Sequence, residues 1–146
     1  MNIGDVAHAI QLALAPVFLL TGIAGLLNVM AGRLARIIDR GRQLTDNSIP
    51  RDREFAETVQ VELQNLDRRR RLAGAAITAC TLSALLVCTV IALLFLEVLL
   101  QVELAWLVGL FFTASTLALV VGLAYFLREV HFATRTVRIP LLVPKR

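Results

Sequence analysis

The placement of the basic residues constrains this chain more than any other feature of its sequence. The chain has fifteen Lys and Arg residues, and none of them precedes Arg33. Ten lie between Arg33 and Arg71, and the other five lie between Arg128 and Arg146. Three long apolar stretches separate these basic segments from segments that have no basic residue. Because Lys and Arg concentrate in the loops that stay in the cytoplasm, the pattern predicts three membrane spans with the N-terminus outside and the C-terminus inside.

The composition supports this interpretation, since apolar residues make up 58% of the 146 residues and the mean hydropathy is +0.74. Both values are high for a soluble protein of this size. We predict a single all-α membrane domain in which the spans and a hairpin use nearly the whole chain. The predicted parts are spans at about 7–32, 72–96 and 104–127, a cytoplasmic helical hairpin at about 33–71, and a cytoplasmic tail at 128–146.

Apolar residues recur at helical spacing on both sides of the Asp46–Pro50 segment, which has the composition of a turn. The predicted hairpin therefore consists of two amphipathic helices that continue the first and second spans. Its first helix also carries a basic stripe. The stripe consists of Arg33, Arg36 and Arg40. Asp39 is three residues from both Arg36 and Arg42, a spacing that predicts local ion pairs.

A few polar or small residues interrupt the apolar spans. The candidates are Asn28 in the first span and Thr78, Thr81, Cys88 and Thr89 in the second. They could pack helices together, because amides and hydroxyls in a bilayer bond to nearby carbonyls. They could also line a hydrated path between subunits. In the third span, Ser115, Ala118 and Gly122 form a small face suited to close helix contact. We expect Cys80 and Cys88 to be buried thiols, too far apart on one helix for a disulfide.

Motifs for catalysis or cofactor binding are missing from the sequence. There is no Walker loop, no glycine-rich nucleotide fingerprint and no cluster of His, Cys or Asp at metal-ligand spacing. We therefore expect no enzymatic activity, no metal and no cofactor. The net charge of +4 does not indicate nucleic acid, because the basic residues lack interleaved aromatic side chains and lie beside the spans. Anionic lipid headgroups on the cytoplasmic side are the expected partners of these arginines.

The sequence resembles a bacterial family of small membrane proteins that is catalogued only as a domain of unknown function. The resemblance rests on PVFLL at 16–20, RLARIIDRGR at 33–42, the pattern Glu62-Leu63-x-x-Leu66, the arginine run that ends at Arg71, and AAI at 75–77. It extends over roughly residues 5–135, and its most specific part is the R-L-x-R-x-x-D-R core. The resemblance implies a bacterial inner-membrane protein with three helices, and it implies no activity or site residue.

Two hypotheses follow for the function of the chain. In the first, it is a homo-oligomeric structural or regulatory module whose cytoplasmic hairpin is an interaction surface. In the second, it is a homo-oligomeric pore or ion channel lined by the hydroxyl-bearing faces of the spans. A three-span chain has little lipid-free interior of its own, so both hypotheses require several subunits. The stoichiometry and any transported solute are not readable from the sequence.

Overall fold

The computed structural model describes residues 3–46 and 53–136, which form three α-helices. The helices are α1 (Ile3–Asp46), α2 (Arg53–Leu100) and α3 (Ala105–Thr136), with 44, 48 and 32 residues. All three are long and apolar enough to cross a membrane, which confirms the prediction of an all-α chain with three spans. The predicted turn beyond Asp46 and the tail beyond Thr136 lie outside the described residues.

Two of the helices are much longer than a bilayer requires. At a rise of about 1.5 Å per residue, α1 and α2 are roughly 66 and 72 Å long, whereas about 20 residues cross the hydrocarbon core. The excess consists of residues 33–46 of α1 and 53–71 of α2, where the charged residues are concentrated. We call these two segments the polar extensions. Each continues an apolar span in one unbroken helix, and α1 is also unbroken at Pro16.

The central helix of the bundle is α2, which packs along both α1 and α3. Its buried residues form a core with two buried residues of α1, and side chains from α3 pack against that core. The buried members are Ile23, Met30, Ala76, Cys80 and Val87, and the α3 neighbours are Leu119 and Phe126. Small side chains dominate the α2 part of this core, which lets both neighbouring helices approach its backbone.

The contact between α2 and α3 is closest at Gly122. A Cβ atom at this position would lie 2.6 Å from Cys80 Sγ and 3.2 Å from the carbonyl oxygen of Ala76. Further along the contact, the buried Ser83 hydroxyl donates a 2.7 Å hydrogen bond to the Ser115 carbonyl oxygen. The predicted small face of α3 that includes Ser115 and Gly122 therefore packs directly on α2.

A short link joins α2 to α3 at the end of the molecule opposite the polar extensions. Gln101 has a φ of 53°, the left-handed conformation that often ends a helix. The amides of Leu107 and Val108 donate hydrogen bonds of 2.9 and 3.1 Å to the Leu104 carbonyl, which starts α3. This link makes α2 and α3 a tight antiparallel pair.

Candidate functional site: an ion cluster and a groove at the polar end

The most buried charged side chain in the described residues is Glu129 of α3, which is 1% exposed. Its two carboxylate oxygens accept hydrogen bonds from arginines on both other helices. Arg33 of α1 donates from Nη1 to Oε2 at 3.0 Å, and Arg69 of α2 donates from Nε and Nη2 to Oε1 at 3.2 and 2.9 Å. We call Arg33, Arg69 and Glu129 the ion cluster. It is a single polar contact that joins all three helices.

The position of each residue in its own helix explains why the cluster forms at this level. Arg33 is the first charged residue after the apolar part of α1, and Arg69 belongs to the arginine run that precedes the apolar part of α2. Glu129 is the only acidic residue of α3 and follows its apolar part. Each of the three residues therefore marks the boundary between an apolar and a polar stretch. When the three apolar stretches pack side by side, the three charged residues lie at the same depth along the bundle.

Two arginines lie over the faces of aromatic rings of α3. The Cζ atom of Arg33 lies 5.3 Å from the centroid of the Phe126 ring. Arg68, next to Arg69 on α2, lies over the Phe132 ring at 4.5 Å. Cation–π contacts of this kind attract the guanidinium toward the ring and limit its rotation. Both arginines are thereby fixed against α3 as well as against their own helices.

The predicted basic stripe does not act as one surface. Arg33 joins the ion cluster, and Arg40 donates from Nε and Nη2 to Oε1 of Glu62 on α2 at 3.1 and 3.0 Å. Arg36 is exposed and forms no ion pair with any described residue. The predicted pairing of Asp39 with Arg36 or Arg42 is wrong among the described residues. The arginines that are paired on this segment reach acidic side chains on other helices, which provide a partner fixed by tertiary packing.

Between the polar extensions lies an open groove of about 500 Å³. Apolar and charged side chains both line it, and α1 and α2 both contribute to it. We call this surface the groove. Its lining consists of Ile37, Ile38, Gly41, Arg42 and Thr45 from α1, and Leu63, Leu66, Asp67 and Arg70 from α2. Asp67 contacts Arg70 and Arg71 of its own helix at 3.6 and 2.9 Å. Arg42 is the lining arginine that forms no ion pair with any described residue.

The candidate residues within the spans lie mostly on the outer surface of the bundle. Asn28, Thr78, Thr81 and Cys88 are exposed and Thr89 is half-buried. The threonine hydroxyls already donate to carbonyl oxygens one turn earlier in α2. The prediction that Cys88 is buried is wrong, because its side chain is exposed in the single chain. Cys80 faces α3 and is buried as predicted.

An apolar cleft of about 350 Å³ lies at the opposite end of the molecule. All three helices contribute to its walls, which include Pro16, Val90 and Phe112, and Glu97 is its one charged lining residue. Within the described residues no three His, Cys, Asp or Glu side chains come together as a metal site.

Comparison with known protein families gives a match over most of the chain. A family model described as protein of unknown function (DUF2721) matches residues 13–139. The chain belongs to this family. No curated protein and no solved structure is significantly similar to the DUF2721 chain. The match covers all the residues of the ion cluster and of the groove.

Glu129 of this DUF2721 chain is the residue that our sequence analysis missed. A signal for it was present, because it is the only acidic residue in α3 and lies directly after an apolar span. Arginines lie at the corresponding ends of the other two spans, and a carboxylate at the same depth can form ion pairs with them. The sequence prediction assigns residues 128–146 to a cytoplasmic tail, and that assignment does not relate Glu129 to Arg33 or Arg69.

Proposed function

We propose that this protein is a homo-oligomeric module of the cell inner membrane, with its N-terminus outside and its polar extensions in the cytoplasm. It has no enzymatic activity and acts as a structural or regulatory component through the surface of the polar extensions. The one-sided placement of fifteen basic residues supports this orientation. Lipids, including anionic lipids on the cytoplasmic side, and a protein are its proposed partners, and nucleic acid is not.

The observation that carries this proposal is the groove. Two antiparallel helices that only pack on each other would bury their apolar stripes, but here Ile38 remains 36% exposed beside the half-buried Leu63 and Leu66. Apolar side chains lining a groove between two helices are typical of surfaces that receive another helix. The Arg40–Glu62 pair joins the two helices that form the walls of the groove, and the ion cluster joins the same two helices through Glu129 of α3.

Assembly into a homo-oligomer is supported by the outer surface of the spans. Gly22, Gly25 and Gly32 of α1 have open space where a Cβ atom would lie. Backbones of neighbouring helices can approach closely at such positions, and this is a common basis of helix association in membranes. The exposed threonines of α2 lie on a second surface that a neighbouring subunit could cover.

Site-specific photocrosslinking in intact cells tests the docking surface. A photoreactive residue at position 38 lies in the groove, whereas one at position 43 lies on the exposed surface of the same helix, outside the groove lining. We expect a crosslinked product of defined mass from position 38 and none from position 43. Mass spectrometry then tells whether the product contains a second copy of this chain or another protein. Equal crosslinking from both positions, or none from either, would contradict the proposal.

A pore is the alternative function, and in that case the exposed face of α2 with Thr78, Thr81 and Cys88 would line it. The threonine hydroxyls are satisfied by their own helix, so they do not need water or ions as partners. In a pore, a small charged thiol reagent would modify Cys88 and change the ion conductance of liposomes that contain the protein. In a packed module Cys88 does not react, and the conductance equals that of empty liposomes.

A further inference from the structure

The ion cluster has an excess of positive charge. Two guanidinium groups share one carboxylate, which leaves a net charge of about +1 at the junction of the three helices. The side chain of Glu129 is 1% exposed, whereas those of Arg33 and Arg69 are 38% and 28% exposed. The uncompensated charge is therefore located on the two arginines, at a place that solvent or a ligand can reach.

Most hydrogen-bond donors of the two arginines are also unused. Each guanidinium has five N–H donors. Arg33 donates from Nη1 and Arg69 from Nε and Nη2, all to Glu129, and neither side chain has another hydrogen-bond partner among the described residues. The remaining donors belong to planar groups whose orientation is already fixed by Glu129 and, for Arg33, by the Phe126 ring. Such a group binds a phosphate with a low ordering cost.

The level of the cluster in the molecule indicates the source of the phosphate. Apolar residues of α1 extend to Gly32, and those of α3 extend to Leu127, so the cluster lies where the apolar surface of the bundle ends. This is the depth at which the phosphate groups of a bilayer leaflet lie. A lipid whose chains cover the apolar surface would bring its headgroup to the arginines without any movement of the helices.

We propose that Arg33 and Arg69 bind the phosphate group of one anionic phospholipid at the junction of the three helices. The site is distinct from the general attraction of a basic segment to anionic membranes, because it requires two named side chains held by a buried carboxylate. It depends neither on the groove nor on the orientation of the chain, so it can fail while the proposed function holds.

Native mass spectrometry of the protein in a neutral detergent, titrated with phosphatidylglycerol, tests this site. We expect one phosphatidylglycerol molecule per chain to bind more strongly than zwitterionic phosphatidylcholine. Arg33→Gln is expected to weaken this binding about tenfold, the loss expected when hydrogen bonds to a charged group are removed. Arg36→Gln is the matched control, because it removes the same charge about one helical turn from Arg33. Arg36 is exposed and forms no ion pair with any described residue. This variant should change the binding less than about twofold.

A second variant separates lipid binding from structural damage. Glu129→Gln removes the carboxylate that orients the arginines but releases their donors and raises the net charge of the site, so it should weaken phosphatidylglycerol binding less than Arg33→Gln does. If Glu129→Gln and Arg33→Gln weaken binding equally, loss of helix packing explains both results and the proposal is wrong. Equal effects of Arg33→Gln and Arg36→Gln would also overturn it, since diffuse attraction would then be sufficient.

Inorganic phosphate, added as a competitor, distinguishes a lipid headgroup from a free anion. At a concentration equal to that of the lipid it should not displace phosphatidylglycerol, because it lacks chains to cover the apolar surface. Displacement under these conditions would assign the site to a soluble anion and would contradict a lipid site.

Discussion

Glu129 is the described residue whose side chain forms ion pairs with both other helices. Its buried carboxylate neutralises part of the charge of Arg33 and Arg69, and each arginine belongs to a different helix. Burying a carboxylate is unfavourable unless cations and hydrogen bonds replace its water, and the two guanidinium groups supply both. The arginines are partly exposed, so water still solvates them when the carboxylate is removed. This solvation reduces the loss of folding stability.

We predict that Glu129→Gln lowers the free energy of unfolding by about 3 kcal/mol, near the lower end of the cost of breaking a buried ion pair. Reversible unfolding in mixed detergent, followed by loss of helical circular dichroism, measures this change. Asp67→Asn is the control, since the Asp67 side chain is 43% exposed and pairs only within its own helix. It should cost less than about 0.5 kcal/mol. Similar losses in the two variants would show that the ion cluster has no special structural role.

Gly122 offers a second test at the residue scale. An alanine there would place its Cβ 2.6 Å from Cys80 Sγ, so Gly122→Ala is expected to destabilise the chain by about 1–3 kcal/mol through overpacking. Adding Cys80→Ala should recover part of that loss, because it removes the nearest atom but leaves the two backbone contacts at 3.2 Å. Unfolding of the single and double variants measures the coupling.

Gly109→Ala is the matched control, because it lies on the same helix with open space where the Cβ would be. It should be neutral or slightly stabilising, as alanine favours a helix over glycine. If Gly109→Ala were as harmful as Gly122→Ala, close packing between α2 and α3 would not explain the effect.

At the scale of the helices, an exposed ion pair links the two polar extensions. The Arg40 and Glu62 side chains are 54% and 41% exposed, and their pair is a long-range ionic link between the two extensions beyond the ion cluster. Solvent screens such a pair, so its contribution to the free energy of association is typically below about 1 kcal/mol. The extensions should therefore separate locally more often than the spans do.

Charge reversal at Arg40 and Glu62 tests this ion pair. Arg40→Glu or Glu62→Arg alone places like charges opposite each other and should increase amide hydrogen exchange in residues 36–45 and 59–66. The double reversal restores an ion pair and should return exchange close to the original rate. Exchange in the span residues of α2 should stay unchanged in all three variants. A double variant that exchanges as fast as either single one would contradict a direct Arg40–Glu62 interaction.

At the scale of the whole molecule, the proposed orientation across the membrane rests on the one-sided distribution of charge. In a background with Cys80→Ala and Cys88→Ala, a cysteine placed by Gly4→Cys lies near the start of α1, and one placed by Thr45→Cys lies near its other end. An impermeant maleimide should label the first in intact cells and the second only after permeabilisation. The opposite labelling pattern would reverse the proposed orientation and would place the groove outside the cell.

The structure of the described residues shows which features could be predicted from the sequence. The three helices and the approximate spans were predictable, because length, apolar content and helical period are properties of each segment alone. The small face of α3 with Ser115 and Gly122 was predictable for the same reason. The partners of Asp39 and the environment of Cys88 were predicted wrongly, since both depend on which face of a helix a neighbour covers.

What the sequence determined by itself is the set of three long apolar helices with charge at one end. Those features come from local composition, and no contact between distant residues is needed to produce them. Only the tertiary structure decided that Glu129 accepts from Arg33 and Arg69 while Arg36 stays exposed. The selection depends on the relative rotation and depth of three helices. For α2 and α3 these are set by the close packing of Gly122 on Cys80 and of Ser83 on Ser115, and for α1 by the packing of Ile23 and Met30 in the core. A few ångströms of helix displacement would give the carboxylate different partners.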